Sequence, residues 1–337
     1  MKILITADPF LPVPPKLYGG IERVLDMLIT EYIAKGYDVT LIAHKDSVPH
    51  ESCRFIPYSS NNDSIFSNSL LITKSYLKYK FDIIHSFSRL LYLLPLLRSS
   101  VPKIMSYQRE PSINQIKRAY QLSKNSTLLF TGCSDYISNQ IKSVAKAYTV
   151  YNGVSLDNYI ANDRISDDAA LVFLGRIEEI KGTHVAIDMA LKTNNKLIIA
   201  GNVPTECYQY FNEKIKPYLS EQIRYIGPVN DAQKNILLRE AKALLMPIQW
   251  NEPFGIVMTE AMACGTPVIG YNRGAVSEVV EHLKSGFVCN SDDDFIEGIV
   301  NISKINRAEV RKIVERRFSS DVISNNYLAL YHKLLER

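Results

Sequence analysis

The chain has 337 residues, 46% of them hydrophobic and 22% charged, which suits two α/β domains of roughly 150 residues each and excludes disordered and fibrous classes. No run of about 18 uncharged apolar residues occurs, so no membrane-spanning helix is expected. The five cysteines, Cys53, Cys133, Cys207, Cys264 and Cys289, lie far apart without a C-x-x-C pair, which argues against a disulfide framework or a zinc site. The net charge of +4 is uneven: residues 1–150 carry 18 Lys+Arg against 11 Asp+Glu, and residues 151–337 carry 21 against 24. A basic first half could face an anionic acceptor or an anionic membrane surface, although solvated lysines on helix faces are the plainer account.

Met1–Ala7 reads as a strand and lacks the basic, apolar and small-residue regions of a signal peptide, so a cytoplasmic protein is expected, with peripheral association at the inner face of the membrane. A Pro- and Gly-rich loop follows. From about Ile21 a helix places Val24, Leu25, Leu28, Ile29, Tyr32 and Ile33 on one face and stops at Gly36, and YDVTLIA (residues 37–43) completes a βαβ unit. Further strands are predicted near residues 54–57, 82–87, 103–107, 127–133 and 147–151. The polar stretch 157–168 reads as an interdomain linker. Strands then resume at residues 169–175, 196–201, 223–227, 243–247, 266–271 and 286–289, and Ser319–Arg337 reads as a closing helix. Strands alternating with helices twice over predict two doubly wound parallel sheets of the Rossmann-like α/β class.

Three segments concentrate chemistry. Tyr18-Gly19-Gly20-Ile21-Glu22 lies between the first strand and the first helix, where glycines permit close backbone approach and the helix start offers free N–H groups to a phosphate. The dinucleotide fingerprint G-x-G-x-x-G is missing there, which disfavours a nicotinamide enzyme. In LGRIEEIKG (residues 174–182) Arg176 offers a planar fork and Lys181 a point charge across a strand-to-helix loop, within reach of one diphosphate. In NEPFGIVMTEAMACGTPVIG (residues 251–270) the two carboxylates Glu252 and Glu260 are separated by seven residues. Glu252 falls in the loop before a helix starting near Gly255, where it can accept from sugar hydroxyls, and Glu260 falls about one and a half turns inside it, where it can take ribose hydroxyls. The apolar neighbours Met258, Ala261, Met262 and Cys264 leave Glu260 poorly solvated and in need of a partner. Asp292-Asp293-Asp294 contains a D-x-D triplet, but three Asp after Ser291 fit a helix start better than a metal site.

With these motifs in order, the sequence resembles the retaining family 4 glycosyltransferases of the GT-B fold, whose signature is Glu-x7-Glu. The resemblance runs through YGGIE at 18–22, NGV at 152–154, LGRIEEIKG at 174–182, the W-N-E-P-F-G run from Trp250, EAMACGTPVI at 260–269 and RGAVSEVV at 273–280. It implies two facing Rossmann-like domains with a central cleft: residues 1–153 on the acceptor side, 169–318 on the nucleotide-sugar side, and a helix at 319–337 that returns to the first domain with Tyr327, Leu328 and Tyr331 as anchors.

It also implies roles. Arg176, Lys181, Glu252 and His85 would be catalytic, the last because Asp82-Ile83-Ile84-His85 matches a family strand that ends near the donor sugar. Gly19, Gly20, Glu260, Pro253, Phe254, Gly255, Ile256 and Val257 would bind the donor, with no metal and no cofactor beyond the nucleotide-diphosphate sugar. On its own residues His85 reads more readily as a structural imidazole ending an apolar strand. The implied reaction moves a hexose or N-acetylhexosamine from a uridine-diphosphate sugar, or from a guanosine one, to an acceptor such as a cell-surface glycan or a lipid-linked intermediate. A sugar-nucleotide-binding protein without transfer and an epimerase of the same fold are the alternatives. A nucleic-acid partner is disfavoured because the basic residues are scattered and the pI of 8.6 is modest.

Overall fold

The computed structural model of the chain describes residues 1–16, 19–59, 64–124 and 127–336. It divides into two compact units, residues 1–153 with 320–337, and residues 154–319.

The first unit holds β1 (Lys2–Thr6), α1 (Gly20–Ala34), β2 (Asp38–Ala43), β3 (Arg54–Pro57), α2 (Ile65–Tyr79), β4 (Ile83–Ser86), β5 (Lys103–Tyr107), α3 (Ile113–Leu122), β6 (Leu128–Gly132), α4 (Asp135–Lys142) and β7 (Ala147–Thr149). Among the described residues its seven strands are all parallel in the order β3-β2-β1-β4-β5-β6-β7. Runs such as Ile3-Leu4-Ile5 and Val39 with Leu41-Ile42 are sealed on both faces, as parallel strands covered by helices require. Leu90–Leu96, within a stretch to which sequence reading assigned no motif, forms a 3₁₀ helix against α2.

The second unit holds β8 (Leu171–Leu174), α5 (Thr183–Lys192), β9 (Leu197–Ala200), the single turn α6 (Tyr208–Tyr210), β10 (Ile223–Tyr225), α7 (Asp231–Arg239), β11 (Ala243–Met246), α8 (Ile256–Ala263), β12 (Val268–Tyr271), α9 (Val276–Val279), β13 (Gly286–Cys289), α10 (Asp292–Asn301) and α11 (Arg307–Arg317). The order β10-β9-β8-β11-β12-β13 is again fully parallel. In each sheet the strand order reverses once, at β1/β4 and at β8/β11, and the carboxyl ends of such a pair of strands are where a doubly wound sheet opens to ligands.

One expectation changes. The stretch 157–168 is not a free linker but part of the second unit. The Tyr159 carbonyl accepts from Arg311 at 2.9 Å, the Asn162 carbonyl accepts from Arg307 at 2.7 Å, and Tyr159 itself is 9% exposed. The local sequence is polar because its backbone is tied by side chains from α11, a pairing some 150 residues away along the chain. The closing helix, α12 (Ser320–Leu335), belongs to the first unit and packs on α1, burying Ile323, Tyr327, Leu328, Leu330, Tyr331 and Leu334. Among the described residues no helix is long and apolar enough to cross a membrane.

Candidate functional site

At the β8/β11 reversal two loops meet. The loop after β8 carries Lys181 and the loop after β11 carries Glu252, and Lys181 Nζ donates to Glu252 Oε2 at 2.8 Å. The indole N–H of Trp250 donates to the same oxygen at 3.1 Å, with the Lys181 ammonium 4.7 Å from the indole ring centre. Glu252 is only 8% exposed, so its charge is held by this cation and this donor and not by bulk water.

Backbone shape brings the pair together. Gly182 turns the chain with φ 75°, and a Cβ there would stand 1.9 Å from the Pro247 carbonyl oxygen. Gly274, at φ 60°, lies so close to the Glu252 backbone that a Cβ would meet its carbonyl oxygen at 2.3 Å. Both glycines are required by the close approach of the loops. Arg176, on the same loop as Lys181, pairs with Glu178 at 2.8 Å and keeps its side chain about a third exposed.

Immediately beyond Glu252, Gly255 caps α8 without a side-chain bond, leaving the first amides of the helix, those of Ile256 and Val257, facing a partly open surface. Pro253 and Phe254 are buried, and the Phe254 ring packs edge-on against Phe318 at 5.9 Å. The Phe254 side chain therefore builds the core beneath the site.

Glu260, on α8, is 5% exposed. Its Oε1 accepts from the Tyr159 hydroxyl at 2.7 Å and pairs with the Lys234 ammonium of α7. Asp292–Asp294 open α10, where Ser291 and Asp294 form a reciprocal cap.

In the first unit Gly19 precedes α1 and Gly20 opens it, again without a side-chain cap, while Tyr18 of the same motif lies outside the described residues. Beside them, at the carboxyl edge of the sheet, Arg109 pairs with Asp8 at 2.9 Å. Glu22 is buried, and loss of solvation holds its carboxyl above the usual range.

His85 does not belong to an accessible site. It is fully buried on β4, one ring nitrogen bonded to the Tyr331 hydroxyl and the other to the Ser106 hydroxyl, both at 2.6 Å, with the Tyr327 ring centre 4.7 Å away. The returning helix covers the strand end on which the family-based expectation of a catalytic His rested and seals the ring from solvent.

Burial lowers the His85 pKa from its ordinary 6.5 to about 3, so the folded protein keeps the ring neutral where the unfolded chain would protonate it. That contribution is present above pH 6.5 and is lost as the pH falls toward 3. Between pH 7.5 and pH 5 the first unit is expected to lose about 2 kcal/mol from this group. Hydrogen exchange of β1, β4 and β5 at the two pH values checks this against a His85→Gln variant, in which the loss should disappear.

Sequence reading missed Lys234 and Tyr159, which lie 26 and 101 residues from Glu260 and carry no local motif. Trp250 stood inside a quoted motif without a role; its place two residues before Glu252 was the available signal.

Comparison with known proteins agrees with this geometry. Residues 18–158 match the model of Glycosyltransferase Family 4, and residues 157–317 match that of Glycosyl transferases group 1. Spore coat protein SA of Bacillus subtilis (strain 168) is 24% identical over 99% of this chain and 100% of its own. Among solved structures, AviGT4, a glycosyltransferase involved in avilamycin A biosynthesis, superposes with a TM-score of 0.78 at 22% identity, covering 99% of this chain and 98% of that one. Anabaena Alr3699/HepE in complex with UDP-glucose superposes with 0.76 at 17% identity, covering 99% and 100%. The chain is thus a glycosyltransferase of the family 4 type with the GT-B fold.

Proposed function

We propose that the protein transfers a hexose or N-acetylhexosamine from a uridine-diphosphate sugar to an acceptor hydroxyl with retention of anomeric configuration and without a metal ion. The observation that carries this is the Lys181–Glu252 pair at the β8/β11 reversal, one cation and one buried carboxylate where a ligand of such a sheet is held. Lys181 and Arg176 would face the diphosphate, which gains negative charge as the anomeric carbon–oxygen bond breaks and the electron pair leaves with the phosphate oxygen.

The first amides of α8, with those of Gly19 and Gly20, suit the same charge. Glu260 would take the ribose. Glu252, with Oε2 already engaged twice, suits orientation of sugar hydroxyls better than nucleophilic attack, so retention is assigned to front-face transfer, the departing phosphate oxygen accepting the acceptor's proton. The uridine preference is supported by the UDP-glucose complex of the structural relative, and a guanosine donor is the alternative. The excess of Lys and Arg in residues 1–150 favours a cell-surface glycan or lipid-linked acceptor met at an anionic membrane.

Slow donor hydrolysis tests this without knowledge of the acceptor. With UDP-glucose and UDP-N-acetylglucosamine, proton NMR should show the α-anomer of the free sugar first. First appearance of the β-anomer would overturn retention.

A further inference from the structure

We propose that Lys234 and Tyr159 are positioning residues that hold Oε1 of Glu260 and thereby leave Oε2 as the single acceptor for a ribose hydroxyl of the donor. The proposal rests on the ribose role of Glu260 given above.

Three separate pieces of the second unit converge on one oxygen. Tyr159 reaches it from the segment before β8, Lys234 from α7 and Glu260 from α8, and all three are under 10% exposed. No hydrogen bond from the described residues reaches Oε2. The two donors are themselves fixed. The Tyr159 carbonyl is bonded to Arg311 at 2.9 Å, and Asn235, next to Lys234, is bonded through its side chain to the Asn158 carbonyl and at 3.4 Å to the Ile160 amide. Lys234 Nζ also lies 3.2 Å from Asp231 Oδ1 and 5.6 Å from the Tyr159 ring centre.

A carboxylate with both oxygens unbound turns about its terminal torsion. Two donors on one oxygen fix the plane of the group and aim the other oxygen, so that a hydroxyl meets a preset, charged acceptor. Lys234 also offsets the charge of a buried carboxylate. The arrangement further implies that the ribose diol is not gripped by two equivalent oxygens, because one is already committed.

The charged and titratable groups around Glu260 are Lys234 and Asp231 of α7, Tyr159, Cys264 at the end of α8, and Arg307 and Arg311 of α11. Burial pushes the Cys264 thiol up to about 12 and keeps it uncharged, and of these groups Lys234 is the cation bonded to the carboxylate.

The test is calorimetry of the full chain with uridine diphosphate and its 2′,3′-dideoxy form, in wild type, Tyr159→Phe and Lys234→Met. The wild type should prefer the ribose form at least about tenfold. Tyr159→Phe should cut that preference severalfold. Lys234→Met should abolish it, with affinity for the dideoxy form nearly unchanged. Full preference in both variants overturns the positioning role while the ribose role of Glu260 stands. Absence of any preference in the wild type overturns the ribose role and the proposal with it. If Lys234→Met does not fold, Tyr159→Phe, which removes a single hydroxyl, decides the matter.

Discussion

Replacing Lys181 by Ala should lower turnover at saturating donor by roughly 10²–10³-fold, the loss expected when one well-placed donor to a developing negative charge is removed. The Lys181 side chain is 21% exposed and its ammonium contacts both Glu252 and the Trp250 ring, so its position is set before the donor arrives and little reorganisation is needed during the reaction. Glu252 keeps its bond from Trp250 in the variant, which limits collapse of the loop. Donor affinity should fall less than turnover, because the interaction strengthens as the bond to the sugar breaks. Steady-state kinetics with saturating nucleotide sugar measure the effect, and an unaltered kcat would remove Lys181 from the transition state.

The second large effect is on stability. Tyr331→Ala should destabilise the first unit by about 3–5 kcal/mol, the range for truncating a fully buried aromatic residue. The Tyr331 hydroxyl is bonded to the Tyr32 hydroxyl at 3.1 Å as well as to His85, so the truncation leaves two buried polar groups without a partner in addition to the cavity. The loss belongs to residues 1–153, although the mutation lies at the far end of the sequence. Hydrogen exchange should show loosening of β1, β4, β5 and α1, and loosening confined to residues 154–319 would contradict the placement of α12.

The architecture was legible because most of the parallel strands leave short, largely apolar runs between helical stretches, and each of the thirteen strands among the described residues lies within two residues of an expected one at either end. Arg54–Pro57, Lys103–Tyr107 and Gly286–Cys289 coincide with expectation residue for residue. What the sequence could not show was pairing at long range. The partners of Glu260 come from distant elements, and the segment 157–168 looks like a linker until Arg307 and Arg311 are seen to bind its carbonyls.

His85 illustrates the opposite case. Its strand position is as expected, but only the return of α12 over β4 decides that the ring is sealed. The Lys181–Glu252 pair was half legible: both residues stood in motifs, whereas their contact depends on Gly182 and Gly274 letting two loops touch.

The central claim is that the second unit carries the nucleotide of the donor through Lys181, Arg176 and Glu260. Titration calorimetry of the intact protein with uridine diphosphate tests it most directly. The account predicts binding in the wild type and a loss of at least about tenfold, or about 1.4 kcal/mol, in Glu260→Ala. Failure of both uridine and guanosine diphosphate to bind at millimolar concentration, or equal binding by the Glu260→Ala variant, would contradict it.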